Sequence, residues 1–275
     1  MRVFFLFHND WYQYLKADLL ASQYHIDGFV VIQRKRDIWT RYLWKRAKRI
    51  GFGKVLDELV LRLYWMLFQR WFDDRELNKL MNSVQAKLPS SYRRPPIYKV
   101  QNINSDAGRQ ILRDLNPDVC ILMVHPILSK KTFSIPPIGM LVFHPGVTPE
   151  YRGPHSAFWA TLNNEFWGIG WSLLRVDEGI DTGPVFAQGT CYSVDPLNES
   201  HIVMQHKSHV DGISCVADVL RRIERGEQPR VEMIGRRSTN YTHPGITDYF
   251  VYRRVLRQLR RGQGPRGNAK PAGVL

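Results

Sequence analysis

The sequence has little cysteine. Its three cysteines, Cys120, Cys191 and Cys215, lie far apart, form no C-x-x-C pair and leave an odd number. A disulfide framework and a cysteine zinc site are therefore not indicated. This cysteine usage is typical of a reducing, intracellular setting, so we expect a cytoplasmic protein.

Long hydrophobic runs are also missing. The N-terminus, MRVFFLFHNDW, has five apolar residues between Arg2 and His8, which is too few for the apolar region of a secretory leader. The run over residues 63–68, LYWMLF, lies between Arg62 and Arg70 and is far short of the roughly 20 residues that a membrane-spanning helix requires. We expect neither a leader nor a transmembrane segment.

Acidic residues are fewer than basic ones. The chain has 39 Lys and Arg against 25 Asp and Glu, a net charge of +14. Eight basic residues and one acid fall in residues 34–49, and seven basic residues and no acid fall in residues 253–270. Clustered cations favour nucleic acid or an anionic membrane as a partner. Because the sequence contains no recognisable nucleic-acid module, we do not expect nucleic acid.

The sequence does have enough apolar material for a core. Hydrophobic residues make up 44% and aromatic residues 12% of its 275 residues, which excludes disorder as the main state. The segments VFFLF (3–7) and FVVIQ (29–33) are typical of strands buried on both faces of a parallel sheet. WYQYLKADLLAS, between them, is suited to the crossover helix, so the pattern predicts a βαβ unit.

A second unit follows the same pattern. IYKVQ, DVCILMV and GMLVFH are strand-like, and SDAGRQILRDLNP is helical with Ser105 or Asp106 as its N-cap. Farther along, PHSAFWATLNN predicts a helix, and GIGWSLLRV and GPVFAQGTCYSV predict two more strands. The alternation predicts an α/β fold with a mainly parallel central sheet.

Residues 35–83 interrupt this alternation with about three helical stretches and no strand signal. Over residues 54–72 apolar residues cover most of the helix surface, and one face is polar. The polar face carries Glu58, Arg62 and Gln69. One interpretation is a helix buried against the sheet. The other is an interfacial helix, with residues 34–72 in peripheral contact with an anionic membrane.

The pattern divides the chain into three parts. We predict a catalytic domain over residues 1–198, which includes the helical insertion, and a helical C-terminal extension over residues 199–261. Residues 262–275 have the composition of a disordered basic tail.

Three loops follow predicted strands and carry polar residues. They are VHPILSKKTF from Val124, HPGVTPEYRGPH from His144 and DEGIDTG from Asp177. Ligands of open α/β sheets bind beyond the carboxyl ends of the strands, so we expect these loops to converge on one site. A lone histidine at a strand end is more often structural. A histidine and an aspartate on adjacent loops, however, indicate acid–base or electrostatic work on a reacting carbonyl.

These motifs resemble those of the folate-dependent formyltransferases, a family that includes glycinamide ribonucleotide transformylase, methionyl-tRNA formyltransferase and sugar N-formyltransferases. HPGVTPEYRGPHSAFWA resembles the family's segment of His-Pro, a small residue, a Pro and then Tyr-Arg-Gly. VDEGIDTGPVFAQ resembles its aspartate loop, and ILSKKTFSIPPIGMLVFHPG resembles the approach to its catalytic strand. The resemblance covers about residues 98–192 and implies a Rossmann-like formyltransferase fold, here with a helical insertion and a helical C-terminal extension.

The resemblance also implies a chemistry. The formyl donor would be 10-formyltetrahydrofolate, the acceptor an amine, and the setting one-carbon metabolism, with no metal. His144 matches the catalytic histidine that stabilises charge on the formyl oxygen, and Asp181 matches the aspartate that positions it and assists proton movement. The residues that match the folate pocket are Val124, Ile127, Leu128, Asp177, Glu178, Gly179 and Ile180.

A further set is expected on the acceptor side of the site. It comprises His8, Asn9, Tyr151, Arg152 and His155. Tyr151 and Arg152 have a second interpretation, as residues that only brace the loop, and His155 has one as an early helix residue. A metal site at His206 and His209 is not expected, because no carboxylate or cysteine set accompanies their i, i+3 spacing.

The chain departs from the family at Val142. The family has an asparagine two residues before the histidine, and both side chains reach the tetrahedral oxyanion. Valine offers no donor, and the loss of one oxyanion donor costs on the order of a hundred- to a thousandfold in rate. His8 and Asn9, at the end of the first strand, are the candidates for a second donor.

Two hypotheses for the function follow. The first is an enzyme that transfers a formyl group from 10-formyltetrahydrofolate to a primary amine of a small metabolite such as an amino sugar. The second is a catalytically impaired relative that binds folate or a metabolite and acts through partners. Val142 favours the second, and the presence of both His144 and Asp181 speaks against it. The helical C-terminal part does not resemble the additional β-barrel domain of methionyl-tRNA formyltransferase, so initiator tRNA is not the expected acceptor.

Overall fold

A computed structural model gives the architecture of the chain. It describes residues 1–33, 39–123, 127–263, 267, 269–271 and 274–275, and for residues 39–43 and 45 it describes the helical backbone only.

Seven strands of the described residues form one sheet, in the spatial order β3-β2-β1-β4-β5-β6-β7. The first five are parallel, and β6 and β7 are antiparallel to their neighbours. The predicted α/β fold with a mainly parallel sheet is confirmed. The order changes direction between β1 and β4, and ligands of such sheets bind beyond the strand ends at this point. The strands are β1 (Val3–His8), β2 (Gly28–Ile32), β3 (Ile97–Val100), β4 (Val119–Met123), β5 (Gly139–His144), β6 (Gly170–Arg175) and β7 (Val185–Thr190).

Helices connect and cover the strands. The described helices are α1 (Trp11–Ala21), α2 (Trp39–Ile50), α3 (Phe52–Phe68), α4 (Arg70–Ala86), α5 (Asp106–Leu115), α6 (Lys130–Phe133), α7 (Ser156–Leu162), α8 (His201–Glu224) and α9 (Ile246–Arg260). The three helices α2, α3 and α4 form the predicted insertion, and α8 and α9 form the predicted C-terminal helical part.

Serine side chains fix the starts of two helices. The hydroxyl oxygen of Ser105 accepts the backbone N–H of Gly108 at 3.1 Å, and that of Ser200 accepts the N–H of Val203 at 3.3 Å. Each such cap stabilises its helix by about 1 kcal/mol. Of the two N-caps predicted for α5, the structure therefore selects Ser105.

The sheet carries a hydrophobic core on each face, because successive strand residues alternate between faces. On one face Phe5 and Phe29 pack with α1, α4 and α8. On the other face Phe4 and Leu122 pack with α5. Although α8 follows the predicted boundary at residue 198, it belongs to the first core through residues such as Val216.

Burial of the helix at residues 54–72 against the sheet, one of the two interpretations of the sequence, is wrong. The neighbouring helix α4 takes that place, because its Leu77, Met81 and Val84 are buried in the sheet core. Helix α3 packs on α2, α4 and α9 as an outer layer and buries Val55. Most of its large apolar side chains are exposed.

The C-terminal part lies along both the helices and the sheet. Helix α9 packs on α7, where the rings of Phe158 and Tyr252 stack with centroids 4.6 Å apart. At the end of the predicted tail, Leu275 accepts a backbone hydrogen bond from Thr190 and donates one to Gln188, because the edge strand β7 offers unpaired backbone groups. No described helix combines the length and the apolar character that crossing a bilayer requires.

Candidate active site

Strand β5 presents His144 at its C-terminal end. Alternate residues share a face, so Met140, Val142 and His144 lie on the α5 side of the sheet and Phe143 lies on the α8 side. Because β1, β4 and β5 are parallel, all three end at the edge where His144 lies. This is the edge that the sequence predicted for the site.

The two ring nitrogens of His144 face two acceptors. Nε2 lies 2.9 Å from the backbone oxygen of Tyr151, and since a carbonyl can only accept, Nε2 carries a hydrogen and donates it. Nδ1 lies 3.5 Å from Oδ2 of Asp181. The imidazole is buried, and in its protonated form it has an acceptor at each nitrogen. The structure therefore brings the two predicted catalytic residues together.

Asp181 reaches His144 by a path that the sequence did not indicate. Its loop follows β6, which is antiparallel to β5, and Arg175 at the end of β6 pairs with Leu141, three residues before His144. The loop therefore leaves the sheet at the edge opposite to the one where His144 lies. It folds back over the face of the sheet by roughly 10 Å to meet His144.

The Tyr-Arg-Gly segment holds the aspartate loop in place. The backbone N–H of Gly153 donates to Oδ2 of Asp181 at 3.0 Å, and the guanidinium of Arg152 donates to the carbonyl of Ile180 at 2.9 Å. Gly153 has a φ of 83°, and a Cβ there would lie 2.4 Å from the backbone oxygen of Tyr241. Only glycine fits this position without strain, and its N–H fixes the carboxylate that faces His144.

Tyr151 holds this segment in place through contacts of its buried side chain. Its ring is fully buried and stacks on Tyr241 with centroids 5.5 Å apart, and its hydroxyl donates to Glu165. Burial raises the pKa of the phenol. Because the side chain of Tyr151 is buried, it does not face an acceptor molecule, contrary to one of the two interpretations of the sequence. The other interpretation, in which Tyr151 and Arg152 brace the loop, fits both residues.

His8 and Asn9 end β1 at the same edge but lie on different sides of the sheet. His8 shares the face of His144, with β4 between their strands, which separates the two by roughly 10 Å. The carboxamide of Asn9 accepts from the hydroxyl of Tyr14 at 3.0 Å and donates to Gln33 at 3.4 Å. Of the two, only His8 lies on the side of His144.

His155 forms the start of α7, two residues after Gly153. Its Nε2 lies 3.2 Å from Nδ1 of His243, and its ring centroid lies 5.4 Å from that of His201. Burial lowers the pKa of His201 to about 4 and also lowers the pKa of His243, so both rings are neutral near pH 7. Within the described part of the chain, no three His, Cys, Asp or Glu side chains are placed to hold a metal ion.

The expected folate residues lie on two loops that flank His144. Val124 lies outside the described residues. Leu128 is buried in the core beneath α5, whereas Ile127 is 75% exposed and Ile180, on the aspartate loop, is 42% exposed. An apolar side chain is thus presented to solvent on each loop.

Hydrogen bonds shape the aspartate loop and link it to the other loop. Oδ1 of Asp177 accepts from the N–H of Gly179 at 3.0 Å and from the hydroxyl of Thr182 at 2.7 Å, which closes a tight turn. The exposed pair Lys130 and Glu178 lies 2.7 Å apart and joins α6 to this turn.

Val142 lies among apolar residues. Its neighbours across the sheet are Leu122 on β4 and Leu174 on β6, and its side chain packs against the core beneath α5. The face of the sheet below His144 is therefore apolar up to the imidazole, and Val142 supplies no hydrogen-bond donor there.

Asn104 holds the loop that follows β4, and no pattern in the sequence predicted this. Its Oδ1 accepts from the N–H of Ser129 at 2.8 Å and from the hydroxyl of Thr132 at 2.9 Å, and its Nδ2 donates to the carbonyl of Ile127 at 2.9 Å. These three bonds fix the loop that follows β4. An asparagine in a polar turn after a strand gives no sequence signal for such a role.

A buried polar cluster under β5 was also missed. Nζ of Lys16 lies 3.3 Å from Nδ1 of His206 and 3.4 Å from Nδ1 of His209. Nε2 of His209 lies 2.9 Å from the backbone oxygen of Phe143, next to His144, so it donates there. The i, i+3 spacing of the two histidines was visible in the sequence, but their partner on α1 was not.

A family model described as formyl transferase matches residues 73–220, more than half of the chain. The chain belongs to the formyl transferase family. Methionyl-tRNA formyltransferase from Chloroflexus aggregans is 33% identical over 134 residues, which cover 48% of this chain and 42% of that protein. The enzyme of the same name from Agathobacter rectalis is 28% identical over 178 residues, covering 62% and 55%. The chain thus spans about half the length of these relatives.

Solved structures share the fold. Phosphoribosylglycinamide formyltransferase from Anaplasma phagocytophilum superimposes with a TM-score of 0.52 at 13% identity, covering 82% of this chain and 87% of that one. A sugar N-formyltransferase from a Shewanella species superimposes with a TM-score of 0.51 at 12% identity, covering 90% and 78%. At this identity the likeness concerns the fold, and the Rossmann-like formyltransferase fold that the sequence predicted is confirmed.

Proposed function

We propose that the protein transfers a formyl group from 10-formyltetrahydrofolate to the primary amine of a small molecule, such as an amino sugar. The observation that carries the proposal is the contact between His144 and Asp181 at the end of β5 in a chain of the formyl transferase family. The small-molecule acceptor is supported by the fold shared with a structure named as a sugar N-formyltransferase.

The chain has a surface suited to the folate donor. Ile127 and Ile180 present apolar side chains from the two loops beside His144, and a flat, partly apolar ring system would be held between such loops. When bound, the donor would supply the activated formyl group. The residues that would hold it are Ile127, residue Leu128 through its backbone, and residues 177–180.

His144 acts on the charge that develops when an amine attacks the formyl carbon. The positive charge of a protonated imidazole near the formyl oxygen stabilises that negative charge, and preorganised charges and dipoles of this kind supply several kcal/mol. Asp181 holds the ring through its contact with Nδ1. Gly153 fixes the carboxylate, so the pair is oriented before substrate binds.

His8 has a separate role in this proposal. The roughly 10 Å between the strands of His8 and His144 is too far for both rings to share one oxygen atom, and it leaves room for a substrate between them. We assign His8 to the acceptor. Asn9 is not assigned, because its carboxamide is bonded to Tyr14 and Gln33.

A binding titration tests the proposal. A non-transferable analogue of 10-formyltetrahydrofolate should bind the full chain in calorimetry, and Ile180→Glu should weaken that binding at least about tenfold, because it places a charge on the apolar surface. Ile234→Glu, at an apolar residue that is 88% exposed on another loop, is the matched control and should bind as the wild type does. Absence of wild-type binding, or equal binding by both variants, would contradict the proposal.

A further inference from the structure

The outer side of α3 presents a continuous apolar surface. Large apolar residues recur at the three- and four-residue spacing of one helix face from residue 52 to residue 67, a length of about 22 Å. Residues at the start of α4 extend this surface. We call its nine side chains, each between 42% and 72% exposed, the apolar face: Phe52, Leu56, Val60, Leu63, Met66, Leu67, Phe68, Trp71 and Phe72.

The apolar face is larger than a monomeric protein normally exposes. Its four aromatic side chains alone expose roughly 500 Å², since each presents more than half of an area of about 150 to 250 Å². Exposed patches beyond a few hundred Å² usually mark a surface that binds a protein or a membrane. This surface therefore needs a binding partner.

Helix α9 lies beside α3 and adds cations. The rings of Tyr64 and Tyr249 meet with centroids 5.3 Å apart, so the two helices are fixed against each other. One face of α9 exposes Phe250 together with Arg254 and Arg257, which follow it at helical spacing.

Helix α2 packs against α3 and carries further basic side chains. The guanidinium of Arg46 makes two bonds of 2.7 Å to Glu58, which ties α2 to α3. Trp44 is exposed next to Lys48, whose Nζ lies 3.6 Å from the indole centroid. Tryptophan and lysine side chains at such positions are typical of helices that lie at a membrane surface.

The positive charge of the chain is concentrated on the helices that carry and flank the apolar face. Residues 39–75 and 246–261 together hold fourteen Lys and Arg against five Asp and Glu, which accounts for +9 of the total charge of +14. A second copy of this surface would bring like charges together, whereas anionic lipid complements them.

We propose that the apolar face docks on the surface of an anionic lipid bilayer. Its side chains insert about 5 to 10 Å into the boundary between headgroups and acyl chains. Arg254, Arg257 and Lys48 lie at the level of the lipid phosphates, and Trp44 and Trp71 lie at the headgroups. Helices α2, α3 and α9 fall outside the residues that match the formyl transferase family, so this surface is an addition to the catalytic core.

Vesicle sedimentation of the full chain tests the proposal. The wild type should pellet with vesicles of phosphatidylcholine and phosphatidylglycerol in equal parts, far less with phosphatidylcholine alone, and less as salt rises. Leu63→Glu combined with Leu67→Glu should lower binding at least about tenfold. Arg254→Gln and Arg257→Gln should lower it about fivefold each, because each cation near an anionic surface contributes about 1 kcal/mol.

Ile234→Glu is the control, since it places a glutamate at an exposed apolar residue outside the face and should leave binding unchanged. Thermal unfolding of each variant checks that it is folded. Equal binding to neutral and anionic vesicles, or binding to neither, overturns the proposal. It is also overturned if the wild type forms a dimer in analytical ultracentrifugation that the Leu63 and Leu67 variant loses, because a second copy then occupies the face.

Discussion

Val142 and His144 occupy neighbouring positions on one face of β5, but only His144 can donate a hydrogen bond. Val142 is partly buried between Leu122 and Leu174, and neither of these neighbours supplies the donor that a valine lacks. Asn9 cannot supply it either, because its carboxamide is bonded on the other side of the sheet. In the proposed mechanism, stabilisation of the oxyanion therefore depends on His144.

Val142→Asn should raise the rate of formyl transfer, by up to about a hundredfold, because an amide at this position adds a second donor beside His144. The substitution should also lower the free energy of unfolding by about 1 to 3 kcal/mol, because it places a polar group among leucines. Turnover and urea unfolding measure the two effects. Val142→Ala, which removes the side chain without adding a donor, should not raise turnover. A fall in the turnover of Val142→Asn would indicate that another group already occupies the position.

The buried Lys16 should make the free energy of unfolding depend on pH. Burial lowers its pKa to about 7 in the folded protein, whereas an unfolded lysine has a pKa near 10.4. Between these values the unfolded chain binds more protons than the folded one, so Lys16 makes the free energy of unfolding rise with pH from about 7 to about 10. Below about pH 7 both states are protonated and this dependence ends.

Lys16→Met removes the titrating group and keeps most of the side-chain volume. In urea unfolding across this pH range, the free energy of unfolding of the wild type relative to that of the variant should rise with pH. Parallel profiles for the two proteins would show that Lys16 stays protonated in the folded state.

At the scale of elements, the strands and helices were predictable because each leaves a local pattern. The apolar runs of β1, β2 and β4 and the serine cap of α5 are local signals, and the structure contains the elements that they predict. The direction of β6 was not predictable, because an apolar run reads the same in a parallel and an antiparallel strand. For this reason the path of the Asp181 loop had to come from the structure.

The burial of α3 was not predictable for a related reason. The apolar residues of α3 form one side of the helix, but the pattern does not indicate which neighbour, if any, covers that side. Helix α4 fills the place on the sheet through Leu77 and Met81, which leaves α3 outside. Competition between two apolar helices for one face is decided by tertiary packing and is absent from the local pattern.

The hydrogen bonds from Arg152 and Gly153 to the aspartate loop form a clasp between this loop and the Tyr-Arg-Gly segment. Gly153→Ala should lower turnover at least about tenfold, because the new Cβ meets the backbone oxygen of Tyr241 and displaces the N–H that holds Asp181. Gly235→Ala is the control, since Gly235 has a similar φ of 77° but open space around it. Both variants should lose about 1 kcal/mol of stability from backbone strain. Equal turnover in the two variants would show that the clasp does not position Asp181.

At the scale of the whole molecule, chemistry and charge lie in different parts. The residues that surround His144 come from the strand ends and loops of the family core, which the family model covers over residues 73–220. More than half of the excess positive charge, +8 of +14, lies on α2 and α9, outside that match. We therefore expect changes on the apolar face to alter binding to vesicles and to leave formyl transfer in solution unchanged.

Transfer of an isotopically labelled formyl group from 10-formyltetrahydrofolate to a panel of small primary amines, amino sugars included, tests the proposed activity directly. The wild type should form a labelled formamide on at least one amine. His144→Ala and Asp181→Asn should each lower that turnover at least about a hundredfold while still binding the folate analogue, since each removes a group that acts at the transition state. A wild type that binds the analogue but transfers no label to any amine, or variants with unchanged turnover, would contradict the assignment of this site to formyl transfer.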